Sequence, residues 1–150
     1  MPAPRKKKPG SGRLPGGSNA DPLAFVLGVT PRPKERPRFS RQGHSYTPAA
    51  TRAFEAEVAR LATKAMAEAG REPFEVPVRV RATFCLAGDP ALWPTAQRDG
   101  DLDNHEKALL DALNRVAWTD DRLVVEKSSR KMCGAEPHIL VAIEPAGPSA

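Results

Sequence analysis

The sequence predicts an α+β fold, a small mixed sheet with two helices packed on one face, in the order β-α-β-α-β-β. Three observations carry this expectation. Val76, Val78, Val80, Ala82, Phe84 and Leu86 alternate with Pro77, Arg79, Arg81, Thr83 and Cys85, the period of a strand with one covered face. Apolar residues recur at helical spacing in two separate stretches, which are interleaved with strand-like segments. Short apolar runs near both ends of the chain, bounded by proline or glycine, supply the remaining strands.

The first strand is the run Leu23 to Val29, bounded by Pro22 and by Thr30-Pro31. Closely spaced prolines in the following PRPKERPRFSRQGHSYTP forbid a helix and favour an extended path, with a small hairpin turning at Gly43. Thr47 is a good capping residue and Pro48 suits the first helical position, so a helix is expected from there to Gly70. Phe54, Val58, Leu61 and Ala65 form its apolar stripe. After the alternating strand, a polar Pro/Gly-rich loop over 87–100 leads into a second helix. That helix is expected from Asp103 to Val116, with Leu109, Leu110, Leu113 and Val116 facing inward. A tight turn at Trp118-Thr119-Asp120-Asp121 precedes two closing strands, Leu123 to Lys131 and His138 to Glu144, joined around Gly134 and Pro137.

Composition confines the possibilities. The 150 residues make one domain, expected over 22–145, between a disordered basic arm (1–21) and a flexible tail (146–150). No apolar run approaches the length of about 18 residues that suggests a membrane span, and the basic start leads into Pro, Gly and Ser rather than a signal core. A cytoplasmic protein without a membrane partner is expected. Cys85 and Cys133 stand far apart with no metal or disulfide pattern around them. Residues 1–41 hold ten Lys and Arg against two acids, whereas the rest of the chain has 13 against 16. A basic arm on a mildly acidic body points to a polyanionic partner, although a solubilising tail has the same composition.

The chemistry is concentrated in Asp101-Leu102-Asp103-Asn104, followed by Lys107 and, after a helix, by Asp120-Asp121. Residues two apart at the end of an extended segment project to the same side, so Asp101 and Asp103 can address one site. Adjacent carboxylates repel unless a cation lies between them, and hard oxygen ligands suit Mg²⁺. Lys107 follows Asp103 by one helical turn, which turns an ammonium towards the same pocket, with Asp111 as its ion-pair partner one turn further on. Structural uses compete with this reading. Asp103 with Glu106 has capping-box spacing, Lys107 with Asp111 suits a solvated pair, and Asp120-Asp121 are turn formers. None of these accounts for Asp101, which lies outside the helix.

The string DLDNHEKALLDALNRVAWTDD resembles the segment Asp-x-Asp-Asn-x-x-Lys-x-x-x-Asp-x-Leu, then Trp-x-Asp-Asp, of the RusA-type Holliday-junction resolvases. The Pro-rich segment upstream is similar to the start of many members, often phage-encoded, and the resemblance covers residues 23 to 144. It implies a homodimeric, Mg²⁺-dependent endonuclease that nicks paired strands at four-way DNA junctions in recombination and repair, with Mn²⁺ able to substitute. It further implies metal binding by Asp101, Asp103 and Asp121, or its neighbour Asp120, with Lys107 as the catalytic lysine.

Weaker signals fit the same expectation. Lys34, Arg36 and Arg38 alternate in the extended stretch, flanked by Arg32 and Arg41, and can follow a phosphate backbone. Phe39 and Tyr46 suit either stacking on an unpaired base or packing within a hairpin. Trp93 and Trp118 are expected to pack, Trp118 fixing the turn that carries Asp120 and Asp121. His44, His105 and His138 have no metal-ligand spacing and read as loop or surface residues. No Gly-rich phosphate loop or Ser/His/Asp order asks for another chemistry. Two other functions remain open: a noncatalytic DNA-binding module, and the same nuclease chemistry directed at flaps or other branched DNA.

Overall fold

The computed structural model describes residues 20–147. The expected basic arm lies outside the described residues except for Ala20 and Asp21, and so does the expected tail beyond Gly147. The chain runs β1 (Leu23–Leu27), β2 (Arg38–Phe39), β3 (Ser45–Tyr46), α1 (Ala49–Glu68), β4 (Val78–Ala87), α2 (Leu102–Leu113), β5 (Val124–Gly134) and β6 (His138–Pro145). Short 3₁₀ turns at Gln97–Asp99 and Asp121–Leu123 flank α2. This is the expected α+β order, with β2 and β3 forming the small antiparallel hairpin that Gly43 suggested.

The main sheet has the order β1-β6-β4-β5. β6 is antiparallel to both β1 and β4, whereas β4 and β5 run parallel with α2 as their crossover. The two closing strands are therefore not neighbours, because the chain leaves β5 at the sheet's edge and returns on the far side of β4. The alternation in β4 behaves as expected, with Val78, Val80, Ala82 and Phe84 buried. Phe54 and Val58 of α1, Leu109 and Leu113 of α2, and Ile139, Val141 and Ile143 of β6 fill the layer between sheet and helices with them. Burial of a side chain of this size contributes about 1.5–3 kcal/mol, so this layer is the main source of stability. No helix among the described residues is long and apolar enough to cross a membrane.

Both helices depart from expectation at their ends, for reasons in the backbone. Pro48 is the N-cap of α1 rather than its first helical residue, since its ψ of 145° is extended, and its carbonyl accepts from the Arg52 N–H at 3.1 Å. Gly70 does close the helix. It has a φ of 66°, and the Gly70 and Arg71 N–H groups donate to the Ala67 and Met66 carbonyls at 3.0 and 2.9 Å, a Schellman closure. The inward stripe of α1 is Thr51, Phe54, Val58, Ala62 and Met66, which leaves Leu61 and Ala65 half-buried at its margin. α2 stops at Leu113, three residues before Val116, because Asn114 turns extended and Arg115 takes a φ of 71°. This reversal drops Trp118, fully buried, beside Phe74, where Phe74 N–H donates to Ala117 O at 2.8 Å and Thr119 N–H to Phe74 O at 3.0 Å.

Gly70→Ala forces a Cβ into the left-handed region. It is expected to cost about 1 kcal/mol, read as a lower urea midpoint at unchanged m-value.

Candidate active site

Helix α2 lies on the sheet through Ala108, Leu109, Ala112 and Leu113, all buried. Its orientation on that stripe puts Asp103, Lys107 and Asp111, successive turns of one flank, along an open cleft of about 410 Å³. Asp121, from the turn that enters β5, and Lys127, from β5 itself, line the cleft as well. Asp103, Lys107 and Asp121, all picked out in the sequence, thus border one cavity. Asp101 and Asp120 are exposed and do not line it; Asp101 is the N-cap of α2, two residues before the first of its walls.

The acids of this region divide according to their partners. Asp99 Oδ2 accepts from the Ala96 N–H at 2.9 Å and closes its own 3₁₀ turn. Glu106 accepts from the Ser129 hydroxyl and pairs with Lys127 Nζ at 2.9 Å. Asp120 accepts from the Arg122 N–H at 3.0 Å, the turn-forming role expected of such an acid. Among the described residues, the carboxylates of Asp101 and Asp103 have neither a hydrogen bond nor an ion pair, and α2 has no side-chain cap bond. Asp103 and Glu106 therefore do not form the capping box that their spacing allowed. Asp121 is held at one oxygen only, by the Trp118 indole N–H at 2.9 Å, so the buried tryptophan does fix this turn. Trp93, by contrast, is 64% exposed, its ring 5.9 Å from the Arg130 guanidinium carbon.

Lys34 is placed differently from the expected phosphate-facing row. Its ammonium lies between Asp111 of α2 at 2.7 Å and Glu55 of α1 at 2.9 Å, and its N–H donates to Asn104 O at 2.9 Å. Burial opposes the charge, but the hydrogen bonds to Asp111 and Glu55 outweigh it and raise the Lys34 pKa above the ordinary lysine range. Asp111 is thus the partner of Lys34, not of Lys107. Arg32, Arg36, Arg38 and Arg41 remain exposed, with Arg38 paired to Glu35 at 3.2 Å. At the hairpin, Phe39 is 71% and Tyr46 45% exposed, so neither packs into the core.

His105 is the residue that sequence reasoning placed worst. It is 1% exposed, inside the fold, with its ring centroid 5.4 Å from that of Phe84. Its Nε2 lies 2.6 Å from Asp99 O, which can only accept, so Nε2 carries the proton. Burial lowers its pKa, against the opposing pull of that hydrogen bond, and keeps the ring neutral at physiological pH. Lys127, Ser129 and Lys131 were also missed. They alternate along β5 on the side towards α2, but a strand with polar residues in both phases gives no sequence signal of which face is covered.

Whether these residues suit a divalent cation depends on the kind of site. Among the described residues, no three Asp, Glu, His or Cys side chains form a ready-made cage. Mg²⁺ does not need one, since it is commonly held by one or two carboxylates and keeps water and substrate oxygens for the rest. Unengaged hard-oxygen donors at Asp101, Asp103 and one oxygen of Asp121, beside an open cleft, fit that kind of binding.

Comparison with known proteins supplies one match. The family model described as Endodeoxyribonuclease RusA matches residues 28–144, which include both helices and the whole cleft. No curated protein matches the chain at a significant level.

Lys34→Met would leave Glu55 and Asp111 facing each other without their shared cation. The expected loss is roughly 1–3 kcal/mol in urea unfolding, between the values of exposed and buried ion pairs. A residue acting only on DNA would instead leave the midpoint unchanged.

Proposed function

The chain belongs to the RusA endodeoxyribonuclease family, and from that premise we propose that it is a Mg²⁺-dependent endonuclease that resolves four-way DNA junctions in recombination and repair. The observation that carries the reading is the cleft lined by Asp103, Lys107 and Asp121, in which the other two acids, Glu106 and Asp111, are already paired with lysines. Asp101, Asp103 and Asp121 would hold the cation, with Asp120 left to its turn. When bound, the cation supplies a Lewis acid and a water of lowered pKa, and Mn²⁺ is expected to substitute. Lys107, on the cleft wall and unpaired among the described residues, brings its ammonium to the phosphoryl oxygens, where attraction grows as negative charge builds in the transition state. The Trp118 N–H restrains Asp121 and so limits the reorganisation its carboxylate must undergo.

The exposed Arg32, Arg36, Arg38 and Arg41 would follow the phosphate backbone beside the cleft, and Phe39 and Tyr46 offer faces to unpaired bases at a branch point. Lys34 would act indirectly, by holding the Pro-rich stretch against both helices. A homodimer is the natural form for paired nicking, because two-fold symmetry places equivalent sites on opposite strands. The cytoplasm of a bacterium, or of a phage-infected cell, is where such a substrate arises. A noncatalytic DNA-binding role accords poorly with the Asp101 and Asp103 carboxylates, which have neither a cap bond nor an ion pair among the described residues.

The test uses labelled four-way, flap and linear duplex DNA, with and without Mg²⁺. Asp103→Asn and Asp101→Asn should abolish cleavage while junction binding stays equal or tightens, because each removes a ligand and a charge that repels phosphate. Parallel loss of binding and cleavage in folded protein would refute the metal-ligand assignment. Preferential cleavage of flaps would keep the chemistry and change the substrate. Lys107→Met should slow single-turnover cleavage by roughly 100-fold, about 2.7 kcal/mol, at an unchanged melting temperature. A near-normal rate would remove Lys107 from the mechanism and leave the aspartates standing.

A further inference from the structure

The segment that delivers Asp101 has an unusual backbone. Gly100 has φ 78° and ψ 164°, a region open essentially to glycine alone. A Cβ at Gly100 would lie 2.7 Å from Pro33 Cγ and 3.2 Å from His105 Nε2, so the chain is enclosed on two sides there. Such a conformation persists only where its surroundings hold it. Two side chains do so at consecutive carbonyls. His105 Nε2–H donates to Asp99 O at 2.6 Å, and Lys131 Nζ donates to Gly100 O at 2.7 Å. One donor comes from α2 and the other from β5, so the two elements grip the peptides immediately before Asp101 from different directions. Asp101 O then accepts the N–H groups of Asn104 and His105, both at 3.1 Å, and opens the helix that carries Asp103 and Lys107.

Holding His105 here has a cost. Its Nδ1 is buried with no hydrogen-bond partner among the described residues, and an orphaned buried acceptor is worth about 1–3 kcal/mol of destabilisation. A leucine of similar bulk would fill the space beside Phe84 without that penalty. Packing alone therefore does not account for an imidazole, whereas the donor at Nε2 does.

We propose that His105 and Lys131 are positioning residues of the active site, clamping the Asp99 and Gly100 carbonyls so that Asp101 is presented for divalent-cation binding. The inference rests on the proposed metal-dependent function and adds residues that touch neither metal nor DNA. Fixing a ligand in advance removes ordering cost from the binding step, so loss of either donor should weaken cation affinity without weakening the fold.

The experiment is Mn²⁺ binding to the full-length protein without DNA, followed by electron paramagnetic resonance, beside amide hydrogen exchange of 99–105 and thermal melts. His105→Leu is expected to bind Mn²⁺ fivefold or more weakly, to exchange faster at Asp101 and to melt no lower than the parent. His105→Gln, whose amide N–H reaches a similar position, should restore most of the affinity. Lys131→Met should weaken Mn²⁺ binding severalfold at an unchanged melting temperature, and it decides the matter alone if His105→Leu does not fold. Affinity and exchange within twofold of the parent in the folded variants would overturn the clamp, as would a defect in His105→Leu that glutamine does not repair. Asp103→Asn separates the two levels of inference. If it binds Mn²⁺ and cleaves junctions like the parent, the functional reading fails; if it loses both while His105→Leu behaves like the parent, only the clamp falls.

Discussion

Burial of one stripe of α2 is the constraint on which the site depends. Ala108, Leu109, Ala112 and Leu113 must face the sheet to complete the apolar layer, and this fixes the rotation of the helix about its axis. Once that rotation is set, Asp103, Lys107 and Asp111 can only lie along one flank. The parallel β4–β5 pair adds the second half of the constraint, because the crossover must return the chain to the start of β5. The return segment carries Asp121 to the same flank, pinned by the buried Trp118. Core packing and site geometry are thus one problem, and a change that rotated α2 would disperse the cleft residues together.

The parts of this arrangement legible in the sequence are the local ones. Period-two alternation and the apolar stripe of α2 are properties of neighbouring residues; the alternation holds over 78–84 until the buried Cys85 breaks it, and of the expected stripe Leu109 and Leu113 face the sheet, whereas Leu110 is half-buried and Val116 lies beyond the helix. Asp103 and Lys107 are one turn apart, so their common flank follows from helix geometry alone. Lys34 shows where this reasoning ends. Its alternation with Arg36 and Arg38 placed it on an exposed row, but its partners are 21 and 77 residues away, and no local period encodes them. The same holds for β5. Its place at the sheet edge beside β4, with β6 beyond, is a matter of topology, and that topology turns Lys127, Ser129 and Lys131 towards α2. His105 was misplaced for a different reason. A polar residue in a motif suggests solvent, and only the carbonyl waiting at Asp99 makes its burial tolerable.

Electrostatics then separates acids engaged within the fold from those left unengaged, which the sequence alone could not do. Seven acids fall between Asp99 and Asp121, and by type they are nearly interchangeable. The fold gives Asp111 a lysine from the Pro-rich stretch, Glu106 a lysine and a hydroxyl from β5, and Asp99 and Asp120 the N–H groups of their own turns. Asp101 and Asp103 have no such partner among the described residues, and Asp121 has one neutral donor at one of its oxygens. Carboxylates satisfied internally have little reason to bind a cation, since its attraction would have to replace bonds already made. Unsatisfied ones in water retain their full capacity to do so.

On the proposed function, this division bears on what so open a cleft would admit. Lys107 and Lys127 stand on the same walls as Asp103 and Asp121, so opposite charges lie within one cavity. A bare polyanion would be attracted by the lysines and repelled by the acids, with little net gain. A divalent cation between the acids would reverse that balance, because it would neutralise the repulsive charges and leave the Lys107 ammonium to act on the phosphate, Lys127 being held by Glu106. Productive seating of DNA would then be coupled to cation binding, while exposed arginines of the Pro-rich stretch hold the backbone without it. Affinity and chemistry would thereby reside on different elements, the arginines on a surface segment and the acids on the rigid crossover. On the proposed function, separating them in this way would let the protein hold DNA before a cation is bound, yet break a strand only afterwards.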